Sequence, residues 1–356
     1  MDIKKRFNDN LSKMLFLELK KDHSLGEYRI KENIYIPVKA EAIADRTNSG
    51  ENMSEIPVSF FLEGMFYVLG ADQNFKYNST YKEIIETVTG SVDFIKNQIF
   101  HKVKDEKFED AYILTKGLVS IEPSEEVFSK AFMLLENLRK EHKEYVDEEL
   151  QIIDEAKKLS NYAEPYLYES LICREKTDFD RALALLHRYL ELGGKETVEI
   201  TEFEQNLINI NTYNIGKELA IDDPEEALKH LIPLVDYFGD SPNIYYYIAL
   251  SYRVLGNFEK AIYYLNEAAA IDEAVIEVMN EYGINYASLG DFNKAVKYFE
   301  KAFEQFKSIE ICTNIVMCYI NLNDKGNANK FLEEAEKIDK HDEIVVQLRQ
   351  YFQDEK

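Results

Sequence analysis

Apolar and small residues in the C-terminal half of the chain recur with a fixed spacing. The string YRVLGNFEKAIYYL that starts at Tyr252 returns as YASLGDFNKAVKYF at Tyr286, 34 residues on. Gly256 pairs with Gly290, Phe258 with Phe292, Ala261 with Ala295 and Ala268 with Ala302. Within each string the apolar positions fall at helical intervals, and a glycine separates two such stretches. The pattern predicts helical hairpins. Ala249, Ala261 and Ala268 in one unit, and Gly283, Ala295 and Ala302 in the next, are small residues placed where two backbones cross closely. Gly256 and Gly290 fall in the tight connection, where a residue tolerant of positive φ is favoured. Leu255, Leu289, Phe258 and Phe292 are expected to cover the corner, and Leu265 and Phe299 to lie on the apolar face of the second helix.

The best units are 242–275, 276–308 and 309–342. The third has one residue fewer, with Tyr319, Leu322, Ala328, Leu332 and Ala335 in place, Asn323 at the turn and Val316 at the crossing. Residues 343–356 read as an amphipathic capping helix with Ile344, Val345, Leu348 and Phe352 inward, because the last unit of an array has no neighbour to cover it. Upstream the signal weakens. Asp223-Pro-Glu-Glu-Ala227, Asp178-Phe179-Asp-Arg-Ala182 and Lys107-Phe108-Glu-Asp-Ala111 are its remnants. Residues 195–207 look like an insertion or a lengthened helix, and 126–162 like a long hairpin without the signature alanines. The repeats are thus expected over 92–342.

This pattern resembles the tetratricopeptide repeat family. The resemblance implies a mainly all-α fold, an α-solenoid of helical hairpins, and a groove lined by the first helices of successive units. Carried over residue by residue, the family's groove positions fall on Asn209, Thr212 and Tyr213, on Asn243, Tyr246, Tyr247, Leu250 and Arg253, on Glu277, Asn280, Glu281, Ile284 and Ala287, and on Glu310, Thr313, Asn314, Met317 and Ile320. The candidate binding set is Asn209, Tyr213, Asn243, Tyr246, Tyr247, Arg253, Asn280, Thr313 and Asn314. An asparagine both donates to and accepts from a peptide backbone, a tyrosine stacks at small entropic cost, and an arginine pairs with carboxylates. Members that bind chaperone tails grip a terminal carboxylate with lysine, asparagine and arginine. The corresponding positions here hold Tyr246, Leu250, Asn280 and Ile284, which does not fit that activity.

Residues 1–91 lie outside the repeat and are expected to form a small N-terminal α+β or helical cap, or a separate module. Helical spacing predicts one helix over 7–21, alternation predicts a strand over 28–38, and a polar loop follows at 46–55. Helices are expected at 56–70 and 81–88.

Composition narrows the function. The formal net charge is −24, which opposes binding to nucleic acid or to an anionic membrane. No stretch is apolar over the roughly 18 residues a membrane helix needs. Cys173, Cys312 and Cys318 are too few and too scattered for a disulfide framework or a metal site, so small buried residues in a reducing, cytoplasmic setting are expected. The abundance of Lys, Asn, Ile and Tyr suggests a bacterial source. There is no phosphate loop and no nucleophile elbow, and the six histidines are scattered; no catalytic residue, cofactor or metal is assigned. The expectation is a non-catalytic scaffold or adaptor binding a protein or peptide. The alternatives are a peptide-responsive regulator, and an enzyme with its site in 1–91. Self-association is left open.

Overall fold

The computed structural model describes residues 3–48, 56–272 and 274–354. Its contacts divide the chain into two compact units, 1–200 and 201–356. In the first, α1 (Ile3–Leu11) is followed by β1 (Met14–Leu19), β2 (Ser24–Leu25), β3 (Tyr28–Arg29) and β4 (Ile34–Lys39). Helices α2 (Ala40–Asn48), α3 (Val58–Ala71), α4 (Asn78–Thr87), α5 (Ser91–Lys104) and α6 (Phe108–Val119) come next. Then follow α7 (Glu125–Glu141), α8 (Tyr145–Ala156), α9 (Glu164–Glu175) and α10 (Phe179–Glu191).

Strands β1 and β4 pair antiparallel, Met14 opposite Lys39 and Leu19 opposite Ile34. The expected helix over 7–21 therefore ends at Leu11. The ladder to β4, whose Ile34, Ile36 and Val38 are fully buried, satisfies the backbone of 14–19 and overrides its helical spacing. The expected strand over 28–38 is broken between Arg29 and Ile34, its first part pairing with β2. The expected loop over 46–55 starts as the end of α2, and residues 49–55 lie outside the described residues. Backbones meet closely where α3 crosses β4 and α6. A Cβ on Gly64 would lie 2.0 Å from the Pro37 carbonyl oxygen, one on Gly70 1.9 Å from that of Ile113, and one on Gly117 2.0 Å from that of Phe66. A single apolar core runs from Ile3 to Ile172, so residues 1–91 share it with helices as far as α9.

The second unit holds α11 (Val198–Asp222), α12 (Pro224–Leu231), a 3-10 turn at Ile232–Leu234 and the short α13 (Val235–Phe238). The hairpins α14 (Pro242–Val254) with α15 (Phe258–Ile271), α16 (Ile276–Ser288) with α17 (Phe292–Gln305), and α18 (Ile309–Asn321) with α19 (Lys325–Asp339) follow, closed by α20 (Glu343–Asp354). Ala249, Ala261, Ala268, Ala295 and Ala302 are fully buried. A Cβ on Gly283 would meet the Phe299 ring at 2.5 Å. Tyr252 stacks on Tyr264, Tyr286 on Tyr298 and Tyr319 on Phe331, one such pair in each hairpin. Two expectations fail at the edges. Leu255 and Leu289 are more than two-fifths exposed and lie outside the buried core. Ile344 points outward, because the Asp342 carboxylate caps the amides of Ile344 and Val345 and sets the start of α20 there.

One turn recurs in both units. The connecting residue has positive φ at Gly256 (75°), Gly290 (79°), Asn323 (56°), Thr177 (60°) and Glu106 (58°). In each case the next amide bonds back to the carbonyl five residues earlier, as Asn257 to Tyr252 at 2.8 Å and Lys107 to Lys102 at 2.9 Å. This is the closing bond of a left-handed helix end. The residue that follows caps the second helix. The Asp178, Asn257, Asp291 and Asp324 side chains accept from the amide three residues on, while Lys107 makes no such bond.

Candidate peptide-binding face

The candidate residues of the second unit sit on four helices, α11, α14, α16 and α18. Tyr213 on α11 meets Tyr247 on α14 edge to face, with ring centroids 6.1 Å apart, and Tyr247 meets Tyr246 at 5.0 Å. Lys217 lies 5.6 Å from the Tyr247 ring centre. These rings are half-buried, and burial pushes the Tyr213 and Tyr246 hydroxyls up to about 12. They stay protonated at neutral pH and can donate.

From α14 to α16 the link is ionic. Arg253 Nε donates to Glu281 Oε2 at 2.6 Å, with the Glu281 side chain 6% exposed. Burial raises the Glu281 carboxyl above the usual range, and the guanidinium beside it pulls back. Arg253 is therefore engaged inside the array. The expectation that it would receive a ligand carboxylate needs Glu281 to give way, since the guanidinium already holds one. Glu281 is the residue that sequence reasoning undervalued. Its sequence signal is the offset of 28 residues from Arg253, which brings neighbouring first helices together.

The asparagines differ from one another. Asn280 is half-buried, and its Oδ1 is enclosed with no donor among the described residues. Asn314 is half-buried and Asn243 exposed near the start of α14. Asn209 Oδ1 already accepts from Gln205 Nε2 at 2.9 Å. Thr313 is 3% exposed and its hydroxyl donates to the Glu310 carbonyl at 3.0 Å; helix packing encloses it, so it offers little to a ligand. Thr212 likewise bonds within its own helix, to Ile208. Ring contacts thus join Tyr213, Tyr247 and Tyr246, and Arg253 is held in an internal pair.

Cys173, Cys312 and Cys318 are free and buried, and burial pushes the Cys312 and Cys318 thiols up to about 11. Among the described residues no cluster of three or more His, Cys, Asp or Glu is placed to hold a metal, and no helix is long and apolar enough to cross a membrane.

Family models of the tetratricopeptide repeat match residues 240–308 and 309–342. Residues 240–342 are tetratricopeptide repeats. No curated protein matches the sequence. Among solved structures, MamA is 22% identical, covering 50% of this chain and 93% of its own, with a TM-score of 0.37. YrrB, described as a TPR protein with an unusual peptide-binding site, is 19% identical over 55% of this chain and 95% of its own, TM-score 0.35. TTC0263, a TPR protein of Thermus thermophilus, is 18% identical over 53% and 97%, TM-score 0.33. The repeats make this a protein–protein interaction scaffold in general terms.

Proposed function

We propose that the chain is a non-catalytic cytoplasmic adaptor that holds an extended peptide segment of its partner along α11, α14, α16 and α18. The observation that carries this is the run of three half-buried tyrosines, Tyr213, Tyr247 and Tyr246, with ring centroids 6.1 and 5.0 Å apart, which joins α11 to α14. Asn280 is half-buried at the equivalent position of α16, where a side-chain amide can bond a peptide backbone. The tyrosines add flat surface for side chains on either side. Three free, buried cysteines agree with a reducing compartment.

The test is selection of a random peptide library on the immobilised full chain, followed by Kd measurement on the Tyr246→Ala/Asn280→Ala variant. The expected result is a loss of roughly tenfold or more, the size of a lost hot spot, with the far-UV spectrum unchanged. Selected peptides that bind both proteins equally would place recognition off this face.

A further inference from the structure

In the first unit, a cavity of about 490 Å³ is lined by Arg139, Lys140, Lys143, Val146, Ile172, Glu175 and Lys176. The cations come from the end of α7, the α7–α8 loop and the residue after α9. Three of them, Arg139, Lys140 and Lys143, fall within five residues, and folding adds Lys176 from just after α9, in a chain of net charge −24. Arg139 is 6% exposed, so its guanidinium is fixed rather than solvated. Its Nε donates to Glu149 Oε2 at 2.7 Å and its Nη1 to Glu175, while Nη2 has no acceptor among the described residues. Lys140, Lys143 and Lys176 are exposed at the rim, and Ile172, 2% exposed, with Val146 supplies an apolar wall.

Glu175 is the informative member. Its side chain is half exposed, yet it reaches in to the buried guanidinium, and so marks where an anion sits on Arg139. We propose that this cavity is a binding site for a small phosphate ester, the phosphoryl oxygens taking Arg139 and the three ammonium groups and the apolar part of the ligand lying on Val146 and Ile172. Several point charges around one fixed fork suit a multiply charged oxyanion better than a single carboxylate does. The volume is that of a small-molecule site. Glu175 competes with the ligand for Arg139 and swings out when it binds.

Cations at helix C-termini also stabilise the helix, so the test must separate binding from packing. The full chain is titrated calorimetrically with phenyl phosphate, inorganic phosphate and benzoate. Saturable binding is expected in the order phenyl phosphate, inorganic phosphate, benzoate, weakening with salt. Lys143→Glu/Lys176→Glu, both at exposed positions, should weaken phenyl phosphate by roughly tenfold or more, about 1.4 kcal/mol, without changing Tm by more than a few degrees. Glu175→Gln should strengthen it several-fold, a sign that a structural role for Glu175 would not produce. Absence of saturable binding overturns the proposal. So does affinity unchanged in the lysine variant or lowered in Glu175→Gln.

Discussion

Arg253 and Glu281 hold neighbouring first helices together, and the pair can be taken apart one partner at a time. Replacing Arg253 with Ala leaves the Glu281 carboxylate, 4% exposed as a residue, facing the interior without its cation. Breaking a fully buried pair in this way costs about 3–5 kcal/mol. Arg253 keeps 26% of its side-chain surface, so solvent offsets part of that, and a loss of about 2–4 kcal/mol is expected. The pH dependence carries the sign. Burial already raises the Glu281 carboxyl, and loss of Arg253 raises it further. An acid whose folded pKa lies above its unfolded value binds its proton more tightly when folded, so stability falls as pH rises from the unfolded value through the folded one. The variant should therefore lie close to wild type at acidic pH and fall away from it towards pH 8. Arg253→Met/Glu281→Met, which removes both charges, should recover most of the loss. Urea unfolding followed by far-UV circular dichroism measures all three proteins. A single-variant cost below about 1 kcal/mol, equal at both ends of the pH range, would mean a solvated surface pair and return Arg253 to the set of groups available to a ligand.

Two further outcomes follow from the first unit. Glu149 is fully buried, its Oε1 has no donor among the described residues, and burial pushes its carboxyl up to about 7 against the pull of Arg139. By the same sign, wild type should lose about 2–3 kcal/mol relative to Glu149→Gln between about pH 5 and pH 8; parallel urea midpoints across that range would show that Glu149 titrates normally. At the α5–α6 turn, Lys107 stands where four sister turns carry a capping Asp or Asn, with similar backbone angles. Asn, which adds no charge beside Glu109 and Asp110, should stabilise the protein by about 1 kcal/mol. A Tm unchanged or lowered in Lys107→Asn would show that this turn is not equivalent to the others.

What was legible in the sequence was whatever repeats. Gly256 and Gly290 announced their turns because both are glycine and lie 34 residues apart. The same turn at Glu106 and Thr177 is hidden, since side chains strained by positive φ carry no local mark of it. Small residues revealed the crossing at Gly283, because the period places them. The crossing of α3 over α6 at Gly70 and Gly117 was not visible, as nothing in the sequence pairs those two glycines. Strand β1 was lost for a related reason: MLFLEL has apolar residues that suit either period, and only β4, 15 or more residues on, decides between them. On the candidate face, position alone proposed Arg253 and Thr313. Whether a side chain at such a position is free or already engaged depends on its neighbour in the next helix, which a position-by-position carry-over does not see.

The decay of the repeat upstream of residue 242 has a physical counterpart in how the hairpins are held. In the second unit, alanines and Gly283 let helices cross closely and tyrosine pairs fill the corner, so specificity is written in residue types that recur. In the first unit several helices are also tied by ion pairs, of the kind Arg253 makes with Glu281 in the second. Lys116 on α6 and Tyr112 both reach Glu148 on α8, each at 2.5 Å. Arg139 on α7 holds Glu149 on α8 and Glu175 on α9. Lys157, just after α8, and Arg181 on α10 both hold Glu169 on α9. Each pair is at least partly desolvated, and that cost is recovered only when the partners meet. A hairpin shifted by one turn would bury the charges unpaired, so these contacts select one register where uniform apolar packing would allow several. The partners lie 10, 12, 32 and 36 residues apart, so no single period marks these ties. A family signature built on recurring small residues is therefore strong where geometry alone sets the crossing, and weak where charge sets it, although the same helical hairpin and the same left-handed turn serve both units.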